Sequence, residues 1–429
     1  MITEILIFTF YFCLFTFLVT RIRFFTNSGL SKKLIAFIFI TKIIGGFAYY
    51  AFYNLPQYRN SSDTLEFYKL SLTETQTLLH NPWQFVKELF TNTYQQGGNG
   101  IFSGVNSFWN DLKTNAFTKL TAVFNVLTFK SYLTNIILFN FLFYFGMMGL
   151  YRALQALTPH KKLLLCCVFF IPGVWFYCSG IHKDGLILSA IGMTIFAFQR
   201  GLQNGCKLKH VIAILLSLLL LFAFRNYVAL AMGLTLFVWF ISTKTKKPAI
   251  AFGLFALAGL TGFIASMYLP GSLNLAAFLA SKQNEFQLLE GDSQFTNGIL
   301  QPTPASFAGY LPVALDAVFL QPHLSFKSIA TTLPFFAENI VLLVLILAAI
   351  LSKQKTQKPA IIYACLFFCC ILIFITGYTV TFAGAIVRYK TIYLPVLAGV
   401  LIMCIDWKGF MASLHYVGNA LFGYWSNKH

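Results

Sequence analysis

Because about 20 helical residues cross the hydrocarbon core of a bilayer, recurring apolar runs of about that length force this chain to be read as membrane-spanning. They lie near 4–20, 34–54, 132–151, 163–179, 186–199, 211–224, 227–243, 249–269, 334–352, 360–378 and 392–405, about eleven spans in all. Only 10% of the residues are charged and 58% are hydrophobic. A soluble protein carries roughly a quarter charged residues, so the composition agrees with lipid as the solvent. The first run has no basic segment before Ile5 and no small-residue cleavage site after Val19, and it reads as a retained helix. The nine cysteines fall mostly inside apolar runs without metal-ligand spacing, which makes them small packing residues.

The formal charge of +18 raises the question of a nucleic-acid partner, and its placement argues against one. Lys and Arg collect on every second loop: Arg21 to Lys33, Arg152 to Lys162, Arg200 to Lys209, Lys244 to Lys247, and Lys353 to Lys358. With Lys408 and Lys428 they place 18 basic residues on one side against a single acid, Asp406, while the other side holds 12 of each sign. Such asymmetry marks the cytoplasmic face. It places the N-terminus outside and the C-terminus in the cytoplasm of a bacterial inner membrane. The excess charge serves retention and contact with anionic lipid. The chain reads as one integral membrane domain, residues 1–429. Its two long outer loops span about 55–127 and 270–333. In the first, Thr64 to Leu79 and Pro82 to Phe90 have helical spacing and are expected along the membrane surface or on the outer mouth.

Short outer turns normally avoid cations, yet three contain them: Lys183, Arg225, and the pair Arg388 and Lys390. Each could solvate a turn or snorkel to head groups. Together, from distant parts of the chain, they make a cationic rim suited to a phosphate, with arginine as bidentate donor and lysine as point charge. In "SGIHKDG", Asp184 either caps the next helix or orients its neighbour, and Gly180 and Gly185 permit a tight turn or close approach of a ligand. His182 is one of three outer histidines, and no H-x-x-x-H pair exists. Asp63, in "NSSDTLEFY", stands where the second span leaves the membrane. It is a general base or a ligand for a divalent cation on one reading, and on the other part of an N-cap with Ser62 and Glu66. Glu338, near the start of a span, is favoured there by the helix dipole and is a candidate partner of Arg388. Nucleotide-binding and nucleophile-elbow motifs are missing.

An acid in the first long outer loop of a multi-span protein resembles the arrangement of GT-C glycosyltransferases and, more loosely, of O-antigen-polymerase-like proteins. The stretches "SDTLEFY", "SGIHKDGLIL", "FRNYVAL", "FFAENIVLL" and "AGAIVRYK" resemble a Bacteroidetes-type family of polytopic membrane proteins whose genes lie near surface-polysaccharide genes. The resemblance implies a polyprenyl-phosphate-linked sugar donor, a glycan or lipid acceptor, and chemistry at the outer face of the inner membrane. It implies Asp63 as base or metal ligand, and Lys183, Arg225, Arg388 and Lys390 around the donor phosphate, with Asp184, Glu338 and His182 in support. The chain departs from the usual pattern in placing its acid after the second span. A second outer acid of that pattern falls on Glu290, Asp292 or Asp316. Two other functions compete: a transporter or flippase of a glycan or lipid-linked glycan, and a noncatalytic subunit of an envelope assembly. Lys42 is the one ionisable residue deep in a span without an acid at like depth, which disfavours ion-coupled transport.

Overall fold

The computed structural model describes residues 2–59, 62–91, 108–289, 291, 293–295, 298–325, 329–352 and 358–410. Among these the secondary structure is helical, with one isolated bridge between Gln294 and Phe382. The first half contains α1 (Ile2–Arg21), α2 (Lys32–Tyr53), α3 (Asp63–His80), α4 (Pro82–Lys87), α5 (Phe108–Leu127), α6 (Tyr132–Leu154), α7 (Lys161–Phe169), α8 (Pro172–Tyr177) and α9 (Lys183–Asn204). The second half contains α10 (Leu208–Phe224), α11 (Asn226–Thr245), α12 (Pro248–Ser266), α13 (Leu275–Gln287), α14 (Pro304–Phe319), α15 (Ile329–Leu351), α16 (Ala360–Thr379), α17 (Ala383–Lys390) and α18 (Leu394–Cys404).

Eight of the described helices, α1, α2, α6, α9, α11, α12, α15 and α16, are long and apolar enough to cross a membrane. Helices α17 and α18, bent by 62°, make a ninth span if the pair counts as one. The chain is an all-helical, polytopic membrane protein. Two of the eleven expected spans differ. The run at 163–179 is broken into α7 and α8, because Pro172 has no backbone N–H to continue the first helix. The run at 211–224 belongs to α10, which at 17 residues is shorter than the rest. The two long loops are also more ordered than their Gly- and Pro-rich stretches suggested: α5 closes the first, and α13 and α14 occupy the second.

Packing between apolar helices gains little from water exclusion in lipid, so small residues and side-chain hydrogen bonds set the contacts. Helix α9 crosses α6 where Gly146 meets Ser189 and Gly192. A Cβ on Gly146 would stand 1.9 Å from Ser189 O, and one on Gly192 would stand 2.1 Å from Gly146 O. The turn between α8 and α9 lies inside protein, where backbone carbonyls need partners. Three distant side chains supply them: Lys42 Nζ donates to Cys178 O (2.7 Å), Asn140 Nδ2 to Ser179 O (2.7 Å), and Thr64 Oγ1 to Ile181 O (2.7 Å). The deep lysine of α2 therefore holds the segment that leads into α9.

Helices α3 to α5 form a layer over that end of the bundle. Lys119 of α5 donates to Glu74 (2.5 Å) and Glu88 (3.0 Å) and lies over the Phe85 ring. Asn125 Nδ2 bonds Ser71 and Thr75, and its Oδ1 accepts from Asn135 of α6. These contacts fix the start of α3, and with it Asp63, against the α8–α9 turn.

Candidate functional site

The first turn of α9 carries Asp184, whose side chain is fully buried. A bare carboxylate there would be very costly, and three cationic or polar groups converge on it. Arg225 Nη2 donates to Asp184 Oδ1 at 2.7 Å, and Arg388 Nε donates to Oδ2 at 2.8 Å. His182 Nδ1 stands 3.0 Å from the same Oδ2 and 3.2 Å from the Asp184 backbone nitrogen. A lone pair held so near a carboxylate oxygen would be repelled, so Nδ1 carries the proton and donates it to Oδ2. His182 Nε2, also buried, is left without a partner among the described residues.

Each donor reaches Asp184 for a local reason. Arg225 is the one residue between α10 and α11, so the tight junction of two apolar helices thrusts its side chain into the protein. There its guanidinium lies 4.0 Å from the Tyr389 ring centroid, and Nη1 donates to Tyr227 Oη at 3.1 Å. Arg388 ends the short helix α17 just before the bend, which turns it toward α9. Its Nη1 continues outward to Asp63 Oδ2 at 2.9 Å. Asp63 opens α3, its side chain half exposed, and its Oδ1 makes no bond among the described residues. Burial alone would raise the pKa of Asp63. The Arg388 guanidinium, with His182 and Lys183 behind it, more than offsets this and leaves the group below the ordinary 3.8. For His182, burial and then Arg388 lower the pKa from 6.5 and outweigh Asp184, so the ring is neutral near pH 7.

Four segments far apart in sequence thus meet in one chain of contacts: Asp63, Arg388, Asp184, then Arg225 and His182. No protein-family model, characterised protein or solved structure matches this chain. The site is therefore read from its own geometry. Among the described residues no group of three or more His, Cys, Asp or Glu side chains is set to hold a metal ion.

The remaining sequence candidates are placed as follows. Lys183, next to Asp184, lies with Nζ 4.2 Å from the Phe67 ring centroid and forms no ion pair among the described residues. Lys390 stays apart from the cluster: it is buried and donates to Asn339 Oδ1 (2.5 Å) and Gln321 O (3.1 Å). Glu338 is not at a helix start, because α15 begins at Ile329, and its partner is Gly173 N (2.8 Å) in place of Arg388. Its Oε1 is buried and unpartnered among the described residues. Ser62 precedes α3 without a side-chain cap bond, so the expected capping box with Glu66 is not formed. Asp316 pairs with His323 at 2.9 Å, while Glu290 and Asp292 lie outside the described residues.

The glycines of the opening motif answer to packing. Neither has positive φ, and a Cβ on Gly180 would lie 2.2 Å from the Tyr49 ring, one on Gly185 2.4 Å from the Phe143 ring. They admit aromatic rings, not a turn or a ligand. The sequence also hid several neighbours of the site: Tyr389 and Tyr227 around Arg225, the Tyr49 and Tyr53 rings beside the turn, and Lys113. For Lys113 a signal existed in its spacing of four from Phe117 in a run of helical period.

Proposed function

We propose that the protein is a membrane glycosyltransferase or polysaccharide polymerase that takes its sugar from a polyprenyl-phosphate-linked donor at the outer face of the inner membrane. The observation that carries the reading is the convergence of Asp63, Arg388, Asp184, Arg225 and His182 at one end of a lipid-embedded bundle. A donor with a prenyl chain anchors in the bilayer, and its phosphate reaches the cations Lys183, Arg225 and Arg388. An acceptor hydroxyl attacks the anomeric carbon, the new glycosidic C–O bond forms, and the bond from that carbon to the phosphate oxygen breaks. The phosphate leaves with the electron pair, and Asp63 takes the hydroxyl proton on its free oxygen. Asp184 does not touch the reactants: it holds the arginines, whose positive field stabilises charge growing on the departing phosphate. Positioning by the embedded chain supplies the proximity such a reaction needs.

The reading is tested with purified protein in nanodiscs and lipid-linked glycan extracted from the host, with product length followed on gels. Transfer by wild type and none by Asp63→Asn is the expected result; equal product from both removes Asp63 from the chemistry.

A second reading, a carrier for a glycan or lipid-linked glycan, draws on the break between α17 and α18 and on Lys390 bonded to Asn339 beside it. It predicts full-length glycan trapped on the cytoplasmic side of a deletion strain, where the transferase reading predicts unextended precursor.

A further inference from the structure

Asp63 and Asp184 offset Arg388 and Arg225 one for one, and hydrogen bonds join all four. The positive charge left over at this end of the bundle is carried by lysines. Lys183 rests on the Phe67 ring, Phe67 packs edge-on against Phe117 (5.4 Å between centroids), and Phe117 in turn meets Phe224 (6.4 Å), the residue before Arg225. Lys113 precedes Phe117 by one helical turn on α5, so both lie on one face of that helix. This brings Lys113 to the cleft bordered by Lys183 and Arg225. It is half-buried and forms no ion pair among the described residues. Burial, then Arg225 and Lys282, hold its pKa below the ordinary lysine value, and Glu285 and Asp111 do not restore it. Lys282 itself is committed to Glu285 at 2.8 Å. Two ammonium groups converging on an aromatic floor without an acid between them repel each other in the empty protein, and an anion relieves that repulsion.

We propose that Lys113 and Lys183 form a two-lysine site for a doubly charged phosphate group, which makes Lys113 a ligand-binding residue of this pocket. The inference rests on the donor reading above and narrows it. A phosphodiester between lipid and sugar carries one negative charge, whereas a diphosphate bridging the same two groups carries two, the number that two unpaired ammonium groups match. Lysine suits the task because it acts as a point charge that adapts to either phosphate of such a group.

The full-length protein in nanodiscs is titrated at pH 8 with inorganic phosphate, mostly a dianion, and with dimethyl phosphate, a monoanion, by calorimetry. Wild type is expected to prefer inorganic phosphate. Lys113→Gln and Lys183→Gln should each weaken it by about tenfold or more, the size of one charge-assisted hydrogen bond, and lose the preference. Lys113→Arg should retain most of it. The ligand-free unfolding midpoint of Lys113→Gln should equal or exceed that of wild type, since the repulsion is gone. Nanodiscs doped with a polyprenyl diphosphate separate the sources: a lipid head group then blocks inorganic phosphate, and a soluble ligand is indicated where doping changes nothing. Either result supports the site if it depends on Lys113. Phosphate binding unchanged in Lys113→Gln but lost in Lys183→Gln overturns the two-lysine site and leaves the donor reading standing. Wild type that binds neither free phosphate nor the doped lipid overturns both.

Discussion

The two carboxylates of the site should separate cleanly by mutation, because one is buried and the other is not. Asp184→Asn keeps the size of the side chain and removes its charge. The carboxylate is fully buried, and it accepts from two guanidinium groups whose side chains are 10% and 28% exposed. Removing one partner of a buried ion pair costs about 3–5 kcal/mol. The Asn oxygen still accepts one guanidinium bond, while its NH2 faces the other donor, and Arg388 keeps some solvent and Asp63. The lower end, about 3 kcal/mol, is therefore expected. Asp63→Asn removes one ion pair of a carboxylate that is 50% exposed. Such pairs contribute at most about 1 kcal/mol. Equilibrium unfolding in mixed dodecyl maltoside and SDS micelles measures both. Asp184→Asn should be strongly destabilised, and Asp63→Asn should unfold with wild type while losing transfer. If Asp184→Asn unfolds within 1 kcal/mol of wild type, Asp184 is not the keystone and the argument from burial fails.

Other consequences follow from the same geometry. Because the pKa of His182 in the folded protein lies below its ordinary 6.5, its contribution to stability is full above that value and declines as pH falls from 6.5 through the folded pKa. Unfolding midpoints across pH 5 to 8 should show this decline in wild type and a flatter profile in His182→Gln. The pKa of Asp63 is also lowered, so its ion pair stabilises fully above 3.8 and is lost only below that value. Gly180→Ala should cost about 1–3 kcal/mol by overpacking, since the new methyl group meets the Tyr49 ring, and thermal unfolding in detergent reads it. Lys390→Met leaves Asn339 Oδ1 and Gln321 O without their donor, at about 1–3 kcal/mol, yet should leave phosphate affinity unchanged in the calorimeter.

What the sequence disclosed depended on whether a cost was local. Lys183, Arg225 and Arg388 stood out because a cation at the mouth of an apolar span is expensive wherever it points. Asp63 stood out because it opens a polar helix directly after a span. The pairing itself was not legible. Nothing near Asp184 in sequence indicates that Arg225 and Arg388, brought by α10–α11 and α17, would meet it. Glu338 was assigned to a helix start because Pro334 resembles one, whereas α15 runs through that proline. The run 163–179 looked like a span because hydropathy does not register the lost hydrogen bond at Pro172. Lys113 was hidden in a stretch whose glycines and asparagines masked the helical period of α5, and its importance appears only when the other charges are seen to cancel.

The most direct test of the central claim, that an outward cluster led by Asp63 builds a glycan, is made in the native host. The gene is deleted and complemented with wild type, Asp63→Asn or Arg388→Gln, with equal membrane levels verified, and the surface glycan is profiled. The account predicts that deletion shortens or removes the glycan and that wild type alone restores it. Full restoration by both variants would contradict it.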